Sequence, residues 1–179
     1  MVLSSTLTVG STIGAADTIV NKWVPLEMLR SRQTLEALAY WQQKRGTQRT
    51  PSLADFDPAE IPRLLPYLTV ADVSQGAPRK FTFRIMGEAQ KDASGLNAAG
   101  KTTDMFASFG SDLQPYIEAL YNEICESREP CATTGNLGWI KRAYREFEAV
   151  ILPFSRDGDE VARIISVAAY KDIVYTGGR

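Results

Sequence analysis

The sequence contains no histidine. That removes the commonest general base and metal ligand, and a haem held by histidine is excluded outright. Cysteine is nearly as scarce, with Cys125 and Cys131 alone among 179 residues. Two thiols without histidine do not supply the four ligands of a structural zinc site unless carboxylates or a second subunit contribute, and these two are read as reduced thiols rather than a bridge. No stretch approaches the roughly 20 apolar residues that span a bilayer. Charge of one sign is missing too: 20 Lys plus Arg stand against 21 Asp plus Glu, a net charge of −1, which argues against an electrostatic nucleic-acid partner. The first 24 residues carry no charge before Asp17, so they lack the basic region of a secretory signal. A cytoplasmic location is the default expectation.

What the sequence does have is concentrated in residues 51–73, PSLADFDPAEIPRLLPYLTVADV. Asp57-Pro58-Ala59-Glu60 reads as a helix start, with Asp57 as N-cap, Pro58 at the first helical position and Glu60 at the positive end of the dipole. Pro66 lacks a donor and restricts Leu65, so the helix is expected to be short and to stop before it. Residues 67–73 are apolar or β-branched at almost every position and predict a strand, ended by Ser74-Gln75-Gly76-Ala77-Pro78.

Other segments follow by period. Leu35, Leu38, Ala39 and Trp41 have helical spacing within residues 31–45, and Gly46 closes that helix. Leu35, Leu38 and Trp41 are candidates for a homodimer contact, with packing on the chain's own core as the alternative. Residues 80–86 alternate, placing Phe81, Phe83 and Ile85 on one face and Thr82, Arg84 and Met86 on the other. Residues 88–94 predict a short helix closed by Gly95. Ser111 or Asp112 caps a helix carrying Leu113, Ile117, Leu120 and Ile124, which ends at Arg128 and Pro130. Three strands then follow in residues 131–139, 144–154 and 161–171, the last two joined by an Asp157-Gly158 turn. The expected fold class is α+β: a five-stranded antiparallel sheet with helices on one face and an N-terminal flanking helix. The expected division is a flexible segment over residues 1–24, the N-terminal helix and linker over 25–50, the domain over 51–172 and a flexible tail over 173–179. Leu7-Thr8-Val9 and Thr18-Ile19-Val20 are the stretches of the leader that could pair as edge strands.

Several motifs carry a resemblance. Tyr40-Trp41-Gln42-x-Lys44-Arg45-Gly46, Asp57-Pro58, Ile61-Pro62-x-Leu64-Leu65-Pro66 and Phe81-x-Phe83-Arg84-Ile85-x-Gly87, with Gly95, Gly100-Lys101-Thr102 and Leu152-Pro153-Phe154-Ser155, are similar to the PAS-like family of short proteobacterial proteins. The resemblance covers about residues 30–172. It implies a PAS-like sensor or adaptor in bacterial signalling, one that binds a small molecule between sheet and helices, or another copy of itself. With no room here for an effector module, any output is expected in trans, on a separate signalling protein.

The candidate pocket residues are Phe81, Phe83 and Ile85 from the second strand, Met105 and Phe106 from the connector, and Trp139 from the sheet. Residues of this kind also fill ordinary cores. No ligand or cofactor is identified, and the absence of an Asn-Cys-Arg motif speaks against a flavin photosensor. Chemistry is poorly served: no Gly-x-Ser-x-Gly turn accompanies the missing histidine. The glycine pairs Gly10–Gly14 and Gly135–Gly138 lack phosphate-loop spacing. Glu146 and Glu148 share a strand face, but a solvated face beside Arg142 and Arg145 is the favoured reading. A small enzyme using Cys125, Cys131, Glu146 or Glu148 on a hydrophobic substrate is the alternative to a non-enzymatic sensor.

Overall fold

The computed structural model describes residues 6–7, 21–110, 112–156 and 158–173. Its elements are β1 (Thr6–Leu7), β2 (Asn21–Val24), α1 (Arg32–Arg45), β3 (Leu68–Val73), β4 (Phe81–Met86), α2 (Glu88–Ser94), α3 (Leu113–Ser127), β5 (Cys131–Leu137), β6 (Arg142–Ser155) and β7 (Val161–Asp172). All strand pairs are antiparallel, in the order β1-β2-β5-β6-β7-β3-β4. The class is α+β, and the five expected strands form the contiguous block from β5 to β4. The sheet is wider than five strands because β2 adds to the free edge of β5 from Asn21↔Gly135 to Val24↔Ala132. Residues 21–24 are therefore ordered sheet, not leader. Thr18-Ile19-Val20, the Gly10–Gly14 pair, Ser111, Asp157 and residues 174–179 lie outside the described residues.

Each helix sits where its local signals end it. Gly95 takes the left-handed conformation (φ 72°) that closes α2, and Arg128 does the same for α3 (φ 58°); glycine is the easier residue there. The run over residues 51–67 holds no α-helix, which corrects the expected one. It forms three single 3-10 turns, Leu53–Asp55, Pro58–Glu60 and Leu65–Tyr67. The Asp57 carboxylate does cap the middle turn, accepting from Ala59 N at 2.8 Å. Prolines at close intervals remove the donors a longer helix needs, and Pro66 falls in the first positions of the third turn instead of stopping the chain before it. The run passes directly over Gly87, where a Cβ would lie 2.3 Å from the Leu65 and Pro66 carbonyl oxygens. Only glycine fits beneath it.

The sheet has two buried faces. On one, α1 lies across β6 and β7, and Trp41, Tyr40 and Ala37 pack on Leu68, Val70, Val150, Leu152, Phe154, Ile165 and Val167. Trp41 is 0% exposed, and its indole N–H donates to the Pro153 carbonyl at 2.7 Å. Being interior to this chain, Trp41 presents no surface to a second copy, which corrects its place among the dimer candidates. Leu38 is partly buried against the same cluster, and Leu35 is 44% exposed. On the opposite face, α3 and a 3-10 segment over Thr103–Phe109 cover Ala71, Phe81, Phe83, Ile151 and Ile164.

Candidate functional site

The second face does not close. Between the sheet and its covering helices lies a cavity of about 200 Å³. Its origin is visible in the cross-strand register. Thr133, Ala149 and Ala168 stand directly opposite one another across β5, β6 and β7, and the next rung places Thr69 opposite Ser166. All five line the cavity. Side chains this short leave space beneath α3, although the Ser166 hydroxyl interacts with Tyr121 of that helix, whereas on the α1 face the corresponding rungs carry Val150 with Val167 and Leu152 with Ile165, which fill their space.

Large side chains make the walls. Leu113, Tyr116, Ile117, Leu120 and Tyr121 come from α3, Phe83 and Met86 from β4, and Met105 and Phe106 from the 3-10 segment. Trp139 arrives from the 3-10 turn Gly138–Ile140 that follows β5. Edge-to-face contacts tie these rings into one wall: Phe83 to Phe106 at 5.8 Å, Phe106 to Trp139 at 5.8 Å and Trp139 to Phe109 at 5.3 Å between centroids. Such geometry orients the rings as well as burying them.

Four expected pocket residues, Phe83, Met105, Phe106 and Trp139, line this cavity. Phe81 lies beside it, fully buried and edge-to-face with Tyr121 at 5.2 Å. Ile85 is a correction: it is 52% exposed. The cause is an irregularity in pairing, with Val70 opposite Ile85 but Ala71 opposite Phe83. The extra residue, Arg84, shifts the alternation, so Met86 takes the inward place that strict period two assigns to Ile85. Arg84 itself reaches out to Asp72 at 2.6 Å, a carboxylate shared with Arg163 at 2.8 Å.

Among the described residues no Asp, Glu, Lys or Arg lines the cavity. Polar groups do. At the α2 end they satisfy one another: Tyr170 donates to Gln90 Oε1, Gln90 Nε2 donates to the Tyr67 carbonyl at 2.7 Å, and Ser94 donates to the Gln90 carbonyl at 2.8 Å. Elsewhere in the lining the satisfaction stops. Asn21 Oδ1 and the Tyr116 hydroxyl are buried without a hydrogen-bond partner among the described residues. The Trp23 indole faces the Tyr116 hydroxyl and favours its ionised form, but not in hydrogen-bond geometry, and burial pushes this phenol up to about 12. It is neutral and free to donate. Sequence reasoning missed both residues: Asn21 sits in a stretch without strand signals, and Tyr116 lies between Leu113 and Ile117 in an α3 stripe read from its aliphatic residues alone.

The other chemical candidates stand apart. Burial pushes the Cys125 thiol up to about 11 and the Cys131 thiol up to about 12, so neither forms a thiolate readily. Glu146 is exposed, opposite Lys171 and Asn136 in the sheet. Glu148 corrects the solvated-face reading. It crosses to α1, where it accepts from Ser31 N at 2.8 Å, Arg30 N at 3.0 Å and the Thr34 hydroxyl. Burial opposes its ionisation, yet the Thr34, Ser31 and Arg30 donors outweigh burial and hold its carboxyl below the usual glutamate value. It acts as the N-cap that Ser31 does not supply from its own side chain. Among the described residues no group of three or more Cys, Asp or Glu side chains is placed to hold a metal ion.

Residues 28–169 match the family model of the PAS domain. No curated protein and no solved structure matches the chain.

Proposed function

Because the chain belongs to the PAS domain family, whose members serve broadly as signalling sensors, we propose that it is a non-enzymatic sensor or adaptor holding a small molecule in the cavity under α3. It reports that molecule to a separate partner. One observation carries this reading: the two buried side-chain oxygens left without partners among the described residues both belong to residues lining the same apolar cavity. An unpaired buried polar atom costs about 1–3 kcal/mol, and a ligand is the economical way to remove that cost. The raised thiols and the engagement of Glu148 at a helix end count against the enzymatic alternative.

Glu148 also supplies a route for the signal. Its neighbours Phe147 and Ala149 line the cavity, while its own side chain holds the first turn of α1 on the opposite face. A ligand that displaces β6 at Ala149 acts on the N-terminus of α1 through one strand. The homodimer contact is retained as a proposal for Leu35 and Leu38 alone, and a cytoplasmic setting is part of the same reading. Among the described residues no helix is long and apolar enough to cross a membrane.

Native and denaturing mass spectrometry of the purified protein, combined with thermal shift against small ring compounds, tests the sensor role. The expected result is a retained mass that is released on denaturation, or a melting temperature raised by several degrees at saturating ligand. No retained mass and no shift would leave the chain a protein-interaction module.

A further inference from the structure

Resting on the sensor reading, we infer that the cavity selects an uncharged ring compound bearing one hydroxyl or amide, and that Asn21 and Tyr116 are the residues that select it.

Size, charge and hydrogen bonding converge on that class. An apolar cavity of about 150 Å³ takes up benzene, so about 200 Å³ leaves room for one ring and a short substituent but not for a fused dinucleotide or a porphyrin. The edge-to-face wall of Phe83, Phe106 and Trp139 offers ring faces and edges to a flat guest. Charge is disfavoured by the lining: with no Asp, Glu, Lys or Arg among its described residues, a carboxylate, phosphate or ammonium would be buried unpaired, at a cost of several kcal/mol. The polar end is fixed by what is unsatisfied. Asn21 Oδ1 accepts only, so it requires a donor, while the Tyr116 hydroxyl both donates and accepts. A guest hydroxyl carries both a donor for Asn21 Oδ1 and lone pairs for the Tyr116 O–H, and a primary amide carries the same two functions on separate groups. Selectivity of this kind is strong because the analogue lacking the group leaves both protein atoms buried and unpaired.

The location of Asn21 adds a structural condition. It reaches the cavity from β2, which pairs with β5 in the register Asn21↔Gly135. The specificity element thus lies on the strand that widens the sheet beyond its five-stranded block.

The test is isothermal titration of the full chain with a matched series built on one ring: benzyl alcohol, benzamide, ethylbenzene, benzoate and benzylamine. The alcohol and the amide should bind at least tenfold tighter than ethylbenzene, and the two ions should not bind. Tyr116→Phe should cut the alcohol-to-ethylbenzene ratio about tenfold while leaving ethylbenzene affinity unchanged, and Asn21→Ala should do the same. Because the ligand series reads the preference without any variant, a misfolded Asn21→Ala protein leaves the inference decidable. Ethylbenzene binding as tightly as the alcohol, or benzoate or benzylamine binding best, would overturn the inference while keeping the sensor cavity. Failure of all five, the hydrocarbon included, would overturn the cavity's role itself.

Discussion

The two faces of this sheet are built from alternate residues of the same strands, and they solve opposite problems. Toward α1, β6 and β7 present Val150, Leu152, Ile165 and Val167, all at most 2% exposed, and the space is filled. Among the described residues its polar atoms are paired: the Trp41 indole donates to Pro153, the Tyr40 hydroxyl accepts from Asp57 N at 2.9 Å, and the Thr34 hydroxyl donates to Glu148. Toward α3 the same two strands present Ala149, Ser166 and Ala168, the space stays open, and among the described residues two oxygens are unpaired. Since strand neighbours alternate by period two, one sequence stretch writes both faces. A dense face gives rigidity and an open one gives room for a guest.

The comparison breaks most sharply at Trp41. Trp41→Ala removes the largest side chain of the filled face and its hydrogen bond, and should cost about 3–5 kcal/mol, read as a lowered urea midpoint. A loss under about 1 kcal/mol would mean that α1 is not part of the core. The next largest effect belongs to the junction between the faces. Glu148→Gln removes the charge that caps α1 and should cost about 1–2 kcal/mol near neutral pH. The pH sign follows from its lowered folded value: the stabilisation is present above the unfolded glutamate pKa of about 4.3 and is lost as pH falls through the lower folded one. Urea melts from pH 7 down to 3 should therefore show wild type and Glu148→Gln converging in acid, and a constant gap would refute the cap.

A smaller effect is expected where the open face is filled. Ala149→Leu inserts three carbons into a close-packed core at a typical cost of about 1–3 kcal/mol. Here they enter existing space, so stability should change by less than about 1 kcal/mol while ligand-induced thermal shift disappears. A slightly larger insertion on the other face, the four carbons of Val150→Phe, should be plainly destabilising. Equal costs for the two would mean the faces are packed alike.

How much of this was legible in the sequence depends on which physical signal a residue carries. The helices α1, α2 and α3 were readable from apolar period and from Gly46, Gly95 and Arg128 at their ends, and the five strands from alternation between turn residues. Phe83, Met105, Phe106 and Trp139 were readable as large apolar groups on inward faces. Ile85 was not, because a one-residue irregularity opposite Val70 and Ala71 reverses the alternation, and nothing in Phe-Arg-Ile-Met announces it. Asn21 was hidden for a different reason. Its strand is four residues long and exists through long-range pairing with β5, which no local pattern encodes. Glu148 was misplaced because a carboxylate in a charged strand looks solvated until a distant helix terminus arrives over it.

The subtlest difference between the faces concerns polar satisfaction, and Tyr116 isolates it. On the filled face, deleting a polar atom removes a hydrogen bond and destabilises. At Tyr116 the hydroxyl is buried with no hydrogen-bond partner among the described residues, so Tyr116→Phe removes a desolvated group that gives nothing in return and keeps the ring that packs beside Ile117 and Leu120. The ligand-free protein should gain about 0.5–1 kcal/mol, since an unpaired buried polar group costs more than its isosteric absence. With a saturating hydroxylated guest the sign should reverse, because the wild-type hydroxyl then has a partner and the variant does not. A paired measurement of urea midpoints, with and without benzyl alcohol, reads that crossing directly. A variant that is less stable than wild type in both conditions would show that the hydroxyl already has a partner within the fold, and would remove the distinction drawn between the two faces at the level of hydrogen bonding.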